Sequence, residues 1–296
     1  MEISSINPVN AYLLTIHSPA TIESCTSRLR HFCQFAFNNK KFDLCQWVDL
    51  NYIDVLGFMQ HQRESGLVYA SINVSLSIIK NVALQAWQLD IISIEQYMRI
   101  KTIKGLKGER IVAGRALSIE EVTRVKQAYN KADTPSKCRN YAIFALAVGT
   151  GLRRNEIFTL NIENFTGNKL IVTGKRNKTR TLYLSEFVKK AVDRWLFFHD
   201  EESGALFVRI FTSGNFGERI GEQSIHKAIE SLQRGFDFDR FTTHDLRRTF
   251  ATTLLDVGAD KFAVQRLMGH SSLNTTELYD RRGEKAAKAA IDLLPF

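Results

Sequence analysis

A histidine and a tyrosine, His270 and Tyr279, lie nine residues apart in the polar stretch LMGHSSLNTTELYD. Gly269 fits the position that ends a helix, so we expect His270 directly beyond that helix end. Taken alone, the tyrosine would more often be a half-buried packing residue and the histidine a hydrogen-bonded structural one. Together, a phenol and an imidazole can supply a nucleophile and a group that orients it or moves its proton.

A second histidine stands close to an arginine in TTHDLRRTFATTLL. Thr243 is a natural N-cap, which predicts a helix with His244 and Arg247 on one face of its first turn. A cation at a helix start is unfavourable unless an anion is bound there, because the free amides and the dipole already make that end positive. In an isolated H-x-x-R, Arg247 would more often cap a neighbouring element, but this placement suits a phosphate.

Two further segments carry charged residues that could join such a site. In GTGLRRNEI, Arg153 follows a helix-terminating glycine and Glu156 lies three residues later, a pattern that is weak on its own. In NKLIVTGKRNKTRTLYLS, two β-rich runs flank a basic turn, which predicts a hairpin.

The four segments together resemble the tyrosine recombinases of the phage integrase and Xer type. TGLRRNEI, VTGKRNKTR, HDLRRTFATTLLDVGAD and LMGHSSLNTTELYD stand in the order of that family and at its usual separations. The resemblance is strong over residues 118–290, and the helix PATIESCTSRLRHFCQF resembles the start of the family's core-binding domain. It therefore spans nearly the whole chain.

The resemblance implies a set of site residues. Tyr279 would be the nucleophile, and Glu156 a supporting acid that holds the site together without reacting. The other catalytic positions are two phosphate-binding arginines, a hairpin lysine and two histidines, namely Arg153, Arg247, Lys175, His244 and His270. Arg154 stands where the family commonly has an uncharged residue, and LYD ends differently from many members, but neither departure touches a catalytic position.

Phosphoryl transfer to a tyrosine requires groups of these types. A phenol has a pKa near 10, so ionising Tyr279 at neutral pH costs about 4 kcal/mol, which guanidinium groups and a neighbouring base could offset. Arginines bind phosphate bidentately, and a hairpin lysine, Lys175 with Lys178 as the alternative, could protonate the departing deoxyribose oxygen. His270 could bind a non-bridging oxygen, and His244 could exchange a proton with the phenol. No metal or other cofactor is expected, since no cluster of acids and histidines has ligand spacing.

The elements that must position these residues are mainly helical. Before residue 100, apolar residues at three- and four-residue intervals predict helices starting near Pro19 and covering Ile72 to Ala86, with another ending near Gly66, and no strand. Beyond it, Ser118 and Glu121 form a capping-box pattern that starts a helix. An apolar helix ended by Gly149 and Gly151 follows, then the hairpin and helices predicted at 185–199, 224–234, 244–257 and 260–268.

We therefore predict a mainly α fold with a small β-sheet, in which a helical, SAM-like core-binding domain precedes a tyrosine-recombinase catalytic domain. The predicted boundaries are residues 1–99 for the first domain, a basic linker at 100–116, and 117–296 for the catalytic domain. At the end of the chain, Ala287, Ala290, Ile291 and Leu294 form the apolar stripe of a short exchange helix.

Composition indicates a folded, basic protein. The formal net charge is +9, and residues 101–296 carry 33 positive and 23 negative side chains, against 7 and 8 in residues 1–100. Such an excess suits a polyanion but does not prove one. The four cysteines lack metal or disulfide spacing and are expected to be buried thiols. No leader or membrane span is evident, which predicts a cytoplasmic protein without a membrane partner.

The predicted function is site-specific DNA recombination by strand cleavage and rejoining through a 3′-phosphotyrosine intermediate. The expected partners are double-stranded recombination sites bound by a homotetramer, and the sequence leaves open a further partner, either an accessory protein or a second recombinase. Integration of a mobile element is slightly preferred over Xer-like resolution. The sequence also leaves a type IB topoisomerase, which shares the chemistry, and an architectural DNA-binding protein without a nucleophile as alternatives.

Overall fold

The computed structural model describes residues 7–108, 114–174, 179–199 and 201–269, and the chain divides into two compact units, Met1–Val112 and Ala113–Phe296. The described part is mainly helical with two small sheets, which confirms the predicted fold class. No helix in the described part is long and apolar enough to cross a membrane.

The first unit is entirely helical where it is described. Its helices are α1 (Pro8–Leu14), α2 (Pro19–Phe37), α3 (Tyr52–Glu64), α4 (Tyr69–Gln88) and α5 (Ile94–Thr102), with short 3₁₀ turns at Phe42–Leu44 and Trp47–Asp49. Helices α2, α3 and α4 are those that the apolar spacing predicts. Their buried faces meet in a core that includes Leu29, Phe32, Phe58, Ile72 and Ile79. The sequence pattern did not predict the shorter helices α1 and α5.

The predicted linker is too long at both ends. Ile100 is fully buried inside α5, and Ile103 is buried directly after it, so both belong to the core of the first unit. At the other end, the backbone N–H of Arg115 donates to Asp245 Oδ1 (2.9 Å), and that of Leu117 donates to Thr249 Oγ1 (2.8 Å). The second unit therefore already includes Arg115. The linker was predicted from the glycine-rich, basic composition of residues 100–116. That composition does not reveal the buried apolar residues at one end or the hydrogen-bonded backbone at the other.

The second unit contains the remaining helices and strands of the described part. The helices are α6 (Ile119–Tyr129), α7 (Pro135–Thr150), α8 (Arg154–Phe158), α9 (Glu186–His199), α10 (Glu222–Leu232), α11 (Thr243–Asp256) and α12 (Lys261–Met268). The strands are β1 (Phe165–Thr166), β2 (Lys169–Thr173), β3 (Thr179–Tyr183), β4 (Val208–Ile210) and β5 (Phe216–Arg219). They form an antiparallel sheet in the order β1-β2-β3 and a β4-β5 pair.

Helix α7 is the central element of this unit and is buried continuously from Tyr141 to Val148, because that part of its sequence is apolar on all sides. The prediction that Gly149 helps to end it is wrong, since Gly149 lies inside the helix. A Cβ at this position would lie 2.3 Å from Val188 Cγ2, so the glycine permits close packing against α9. Gly151 alone ends α7, as the C-cap in a left-handed conformation with φ of 64°.

The predicted hairpin is confirmed as β2 and β3, which pair from Lys169 with Tyr183 to Thr173 with Thr179. Leu170, Val172 and Leu182 point into the core. The four cysteines, Cys25, Cys33, Cys45 and Cys138, are buried and free, as predicted.

Helix α11 begins one residue earlier than predicted. Its N-cap is Thr242 and not Thr243, because Thr242 has an acid three residues later and Thr243 does not. The backbone N–H of Asp245 donates to Thr242 Oγ1, and Asp245 Oδ2 accepts from the Thr242 backbone at 2.8 Å. His244 therefore occupies the second position of the helix.

Candidate active site

Arg153 is held at the junction between α7 and α8. The left-handed turn at Gly151 brings the chain out of α7, and Arg153 is the N-cap residue of the short helix α8. Glu156, in the first turn of α8, accepts from the Arg153 backbone through Oε2 (2.8 Å) and from Arg153 Nη1 through Oε1 (3.0 Å). The spacing of three residues thus fixes both the backbone and the guanidinium of Arg153.

Glu156 is the anionic centre of the site. Its side chain is only 6% exposed, and Arg180 on β3 binds it in a bidentate manner, with Nη1 to Oε1 and Nη2 to Oε2 both at 2.9 Å. Burial alone would raise the pKa of Glu156, but hydrogen bonds from Arg180 and Arg153 outweigh burial and the pKa is lowered. Glu156 is therefore ionised at neutral pH and balances part of the arginine charge.

This lowered pKa predicts how stability depends on pH. The charged carboxylate stabilises the second unit fully above the ordinary glutamate pKa of 4.5, and this contribution is lost as the pH falls through the lower folded-state pKa. We expect Glu156→Gln to lower the free energy of unfolding by about 3 kcal/mol at pH 7, because it breaks a buried ion pair. The difference in free energy of unfolding between this variant and wild type should become smaller as the pH falls. Urea unfolding at pH 7 and below pH 4.5 measures both values.

Glu222→Gln is the matched control for this prediction. Glu222 pairs with Arg154 at 2.8 Å, but both side chains are more than 40% exposed, so the same change should cost less than about 1 kcal/mol. A Glu156→Gln protein as stable as the Glu222→Gln protein would contradict the assignment of Glu156 as the buried charge.

Arg247 is the most deeply buried arginine of the site, with 2% of its side chain exposed. It projects from the first turns of α11 and donates through Nη1 to the carbonyl of Gly151 and through Nη2 to that of Met268 at 2.5 Å. Its Nη1 lies 3.9 Å from Glu156 Oε2, which is beyond hydrogen-bond distance. Its position is thus set by the carbonyl groups at the ends of α7 and α12.

The two arginines predicted to bind phosphate converge on one helix end. Arg247 Nη2 binds the carbonyl of Met268, and Arg153 Nη2 binds the carbonyl of the next residue, Gly269, at 3.1 Å. Gly269 is the C-cap of α12, with φ of 60°, as its position in the sequence predicts. Two guanidinium groups 94 residues apart in the sequence therefore meet where the segment with His270 and Tyr279 begins.

His244 lies on the same helix as Arg247 and its side chain is exposed. Partial desolvation, and then the positive charges of Arg247 and Arg248, lower the pKa of His244, although Asp245 opposes the shift. The imidazole is accordingly neutral at pH 7. A neutral imidazole can accept a proton, which is the state that a general base requires.

Three predicted catalytic residues lie outside the described residues. Lys175 and the alternative Lys178 are in segment 175–178, and His270 and Tyr279 are in segment 270–296, which also contains the predicted exchange helix. The described residues that the structure brings together are Arg153, Glu156 and Arg247, with His244 on the helix that carries Arg247.

Arg180 is part of the candidate site and was not predicted from the sequence. Strand β3 places Arg180 and Leu182 on the same, inward face, and Leu182 is buried in the core. The alternation of that strand was the available signal, because an inward arginine requires an acid or carbonyl partner. Arg154, the unusual charge beside Arg153, instead forms the exposed pair with Glu222.

A model of the phage integrase family matches residues 115–285 of this sequence. The chain belongs to the phage integrase family. The match begins at the first residues of the second unit and includes α8, the hairpin, α11 and α12. It confirms the family that the four sequence segments resemble, and with it the prediction of a tyrosine recombinase.

Curated relatives of this phage integrase family member include Xer recombinases. It is 30% identical over 260 residues to tyrosine recombinase XerC of Natranaerobius thermophilus, a match that covers 82% of each chain. It is 28% identical over 274 residues to tyrosine recombinase XerD of Oceanobacillus iheyensis, covering 88% of this chain and 87% of that protein. With XerC of Alcanivorax borkumensis the identity is 35%, but the match spans only 56% of this chain and 55% of the relative.

Solved structures of two recombinases have the same fold as this family member. XerH site-specific recombinase, bound to a palindromic difH substrate in a post-cleavage complex, superposes with a TM-score of 0.72 and 21% identity, covering 92% of this chain and 80% of XerH. A lambda integrase dimer bound to a COC′ core site superposes with a TM-score of 0.69 and 18% identity, covering 90% of each chain.

Proposed function

We propose that this chain is a site-specific recombinase that cleaves one DNA strand at a time through Tyr279 and rejoins it to a new partner. The observation that carries the proposal is the convergence of Arg153 and Arg247 on the adjacent carbonyls of Gly269 and Met268. Two guanidinium groups at one point can neutralise the charge that develops on a pentacoordinate phosphate. The chain leads directly from that point to the proposed nucleophile.

The proposed reaction exchanges one phosphodiester for another. The phenolate of Tyr279 attacks the scissile phosphorus, and the bond from phosphorus to the 5′ oxygen of the next nucleotide breaks. Lys175 gives a proton to that departing oxygen, with Lys178 as the alternative donor, while His244 accepts the phenol proton and His270 binds a non-bridging oxygen. The 3′-phosphotyrosine keeps the energy of the broken bond, so attack by a free 5′ hydroxyl reverses the step without ATP.

The proposed partners are duplex recombination sites and further copies of the same chain. A lambda integrase tetramer bound to a Holliday junction has been solved, and this chain superposes on it with a TM-score of 0.68 at 17% identity. We propose the same assembly here, with four protomers on two DNA sites. The sequences and arrangement of those sites determine whether the reaction integrates a mobile element or resolves linked sites. They also determine whether an accessory protein or a second recombinase takes part.

A two-site assay tests this function against the alternative of a type IB topoisomerase, which the recombinase relatives do not favour. Supercoiled plasmids carrying paired repeats from the DNA that flanks the gene are incubated with the protein. A recombinase yields deletion or inversion products that depend on both repeats. Relaxation of plasmids regardless of the repeats, without recombinant products, would support the topoisomerase and contradict the proposal.

The predicted C-terminal helix gives a further test of the assembly. We propose that Gly283 to Phe296 docks on a neighbouring protomer through the apolar stripe of Ala287, Ala290, Ile291 and Leu294. Deleting these fourteen residues should leave binding of a protomer to a single site nearly intact but abolish synapsis and recombination. Gel-shift titration with sizing of the complexes, followed by the two-site assay, measures both.

Point substitutions on this helix provide a matched comparison. Ile291→Asp changes the stripe and should reproduce the deletion, whereas Asp292→Ala lies off the stripe and should recombine normally. If the truncated protein still formed tetrameric synapses and recombined, the helix would pack on its own protomer and the proposed docking would be wrong.

A further inference from the structure

Arg180 links three elements of the candidate active site. It lies on β3, and its side chain is 13% exposed. Its two terminal nitrogens bind the two oxygens of Glu156 on α8, and its Nε donates to the carbonyl of Leu267 on α12 at 2.9 Å. One guanidinium thus connects the hairpin strand, the helix that begins after Arg153, and the helix end on which Arg153 and Arg247 converge.

The hydrogen bonds of Glu156 explain what this link does. An ionised carboxylate has about four lone-pair sites. Arg180 fills one site on each oxygen, and the backbone and Nη1 of Arg153 fill the other two. Because all four lone-pair sites are occupied, the carboxylate does not accept a hydrogen bond from Arg247, whose Nη1 lies 3.9 Å from Oε2.

Removing Arg180 would change this balance. The carboxylate of Glu156 would keep its charge in a buried position but lose two of its four hydrogen bonds. An under-paired buried charge destabilises the fold unless other donors move towards it. Arg153 and Arg247 are the other arginines paired with Glu156 in the described part of the chain, and Arg247 would need to move by only about 1 Å to form a hydrogen bond. Each guanidinium drawn onto Glu156 is one withdrawn from a phosphate.

We propose that Arg180 is a positioning residue, the dedicated counter-ion of Glu156 that keeps Arg153 and Arg247 in place for the scissile phosphate. This inference rests on the proposed function. Arginine is required because three N–H groups in one plane reach Glu156 and Leu267 together, and a lysine ammonium has no such geometry.

Gly269 belongs to the same arrangement. A Cβ at Gly269 would lie 3.0 Å from Nη1 of Arg180 and 3.2 Å from its Cζ, so a larger residue would press on the guanidinium. The carbonyl of Gly269 also accepts from Arg153. Gly269 therefore lies against Arg180 at its Cα and binds Arg153 through its carbonyl, so a shift of the α12 end would move both guanidinium groups.

The test compares four proteins with wild type: Arg180→Met, Arg180→Lys, the double variant Arg180→Met with Glu156→Gln, and Arg219→Met as a control. Arg219 is also half-buried in the second unit, and it donates to the carbonyls of Phe158 and Leu160 at 2.9 and 2.7 Å and to Oδ1 of Asn161 rather than to Glu156. Each protein is assayed for unfolding by urea, for DNA binding by gel shift, and for single-turnover formation of the covalent adduct on a nicked duplex carrying the recombination site.

We expect Arg180→Met to bind DNA normally and cleave at least about 100-fold more slowly, since misplacing catalytic groups by about 1 Å has effects of that order. Arg180→Lys should also be slow, because it keeps the charge without the geometry. The double variant should cleave on the order of tenfold faster than Arg180→Met, because the unpaired carboxylate that attracts Arg153 and Arg247 is gone. Arg219→Met should lose stability but cleave at the rate of wild type.

Rescue of the Arg180→Met cleavage rate by Glu156→Gln distinguishes a positioning role of Arg180 from a merely structural one. If the double variant regained stability but cleaved no faster than Arg180→Met, the ion pair would only support the fold and the proposal would be overturned. Cleavage at the wild-type rate by Arg180→Met would overturn it as well. Failure of the proposed function is seen in the wild-type protein itself, which would then form no adduct, and the Arg180 proposal would fall with it.

Discussion

Arg247→Ala is expected to lower the rate of strand cleavage by about 10³-fold, the upper range for removal of one donor that stabilises transition-state charge. Arg247 is 2% exposed and donates to Gly151 and Met268, so its guanidinium is held in place before DNA arrives. DNA affinity should fall little, because many other side chains also contact the phosphate backbone. The slope of log affinity against log salt concentration should decrease by only about one unit. Single-turnover cleavage and salt-dependent gel shifts measure these effects.

Two further variants show whether the loss belongs to this position. Arg153→Ala should be similarly slow, because its guanidinium converges with that of Arg247 on the end of α12. Arg154→Ala removes a neighbouring arginine that is 48% exposed and paired with Glu222, so it should cleave normally. Near wild-type cleavage by either Arg153→Ala or Arg247→Ala would contradict the placement of the phosphate.

Tyr279→Phe is expected to abolish the covalent adduct completely. The change removes one oxygen, which is the proposed nucleophile, and leaves the arginines that are proposed to contact phosphate. The variant should therefore bind its site as wild type does and form no adduct that survives denaturation. A denaturing gel with a nicked substrate, run beside a gel shift of the same samples, makes the comparison.

Tyr183→Phe is the control for that experiment. Tyr183 belongs to the second unit, at the end of β3, and is 66% exposed. It should form the adduct at the wild-type rate. An adduct that persisted in Tyr279→Phe would mean that another side chain attacks the phosphate.

Local sequence patterns predicted the long elements well. Helices with sustained apolar spacing, such as α2 and α4, and the hairpin around a basic turn were found because their periods extend over many residues. Helix α8 was missed because its five residues are too few to show a period. The start of α11 was misplaced because two adjacent threonines can each cap a helix, and only the acid at Asp245 distinguishes them.

Most residues of the candidate site were predicted from the sequence, but the contacts between them were not. Arg153, Glu156, His244 and Arg247 were identified through the order and spacing of family segments. The contact of Arg247 with Gly151 crosses 96 residues and that of Arg153 with Gly269 crosses 116, and no local pattern encodes such pairs. The alternation of β3 indicates that Arg180 points inward, but its partner Glu156 lies 24 residues earlier on another element, and no local pattern identifies that partner.

The residue that becomes covalently attached to DNA shows whether Tyr279 is the nucleophile. The protein is trapped on a nicked duplex, digested with trypsin, and the peptide that carries a nucleotide is sequenced by mass spectrometry. The chain has eight tyrosines, so the result discriminates among them. We predict a 3′-phosphate on Tyr279 in the peptide from Leu267 to Arg281. A nucleotide on any other residue, attachment through a 5′-phosphate, or no adduct at all would contradict the account.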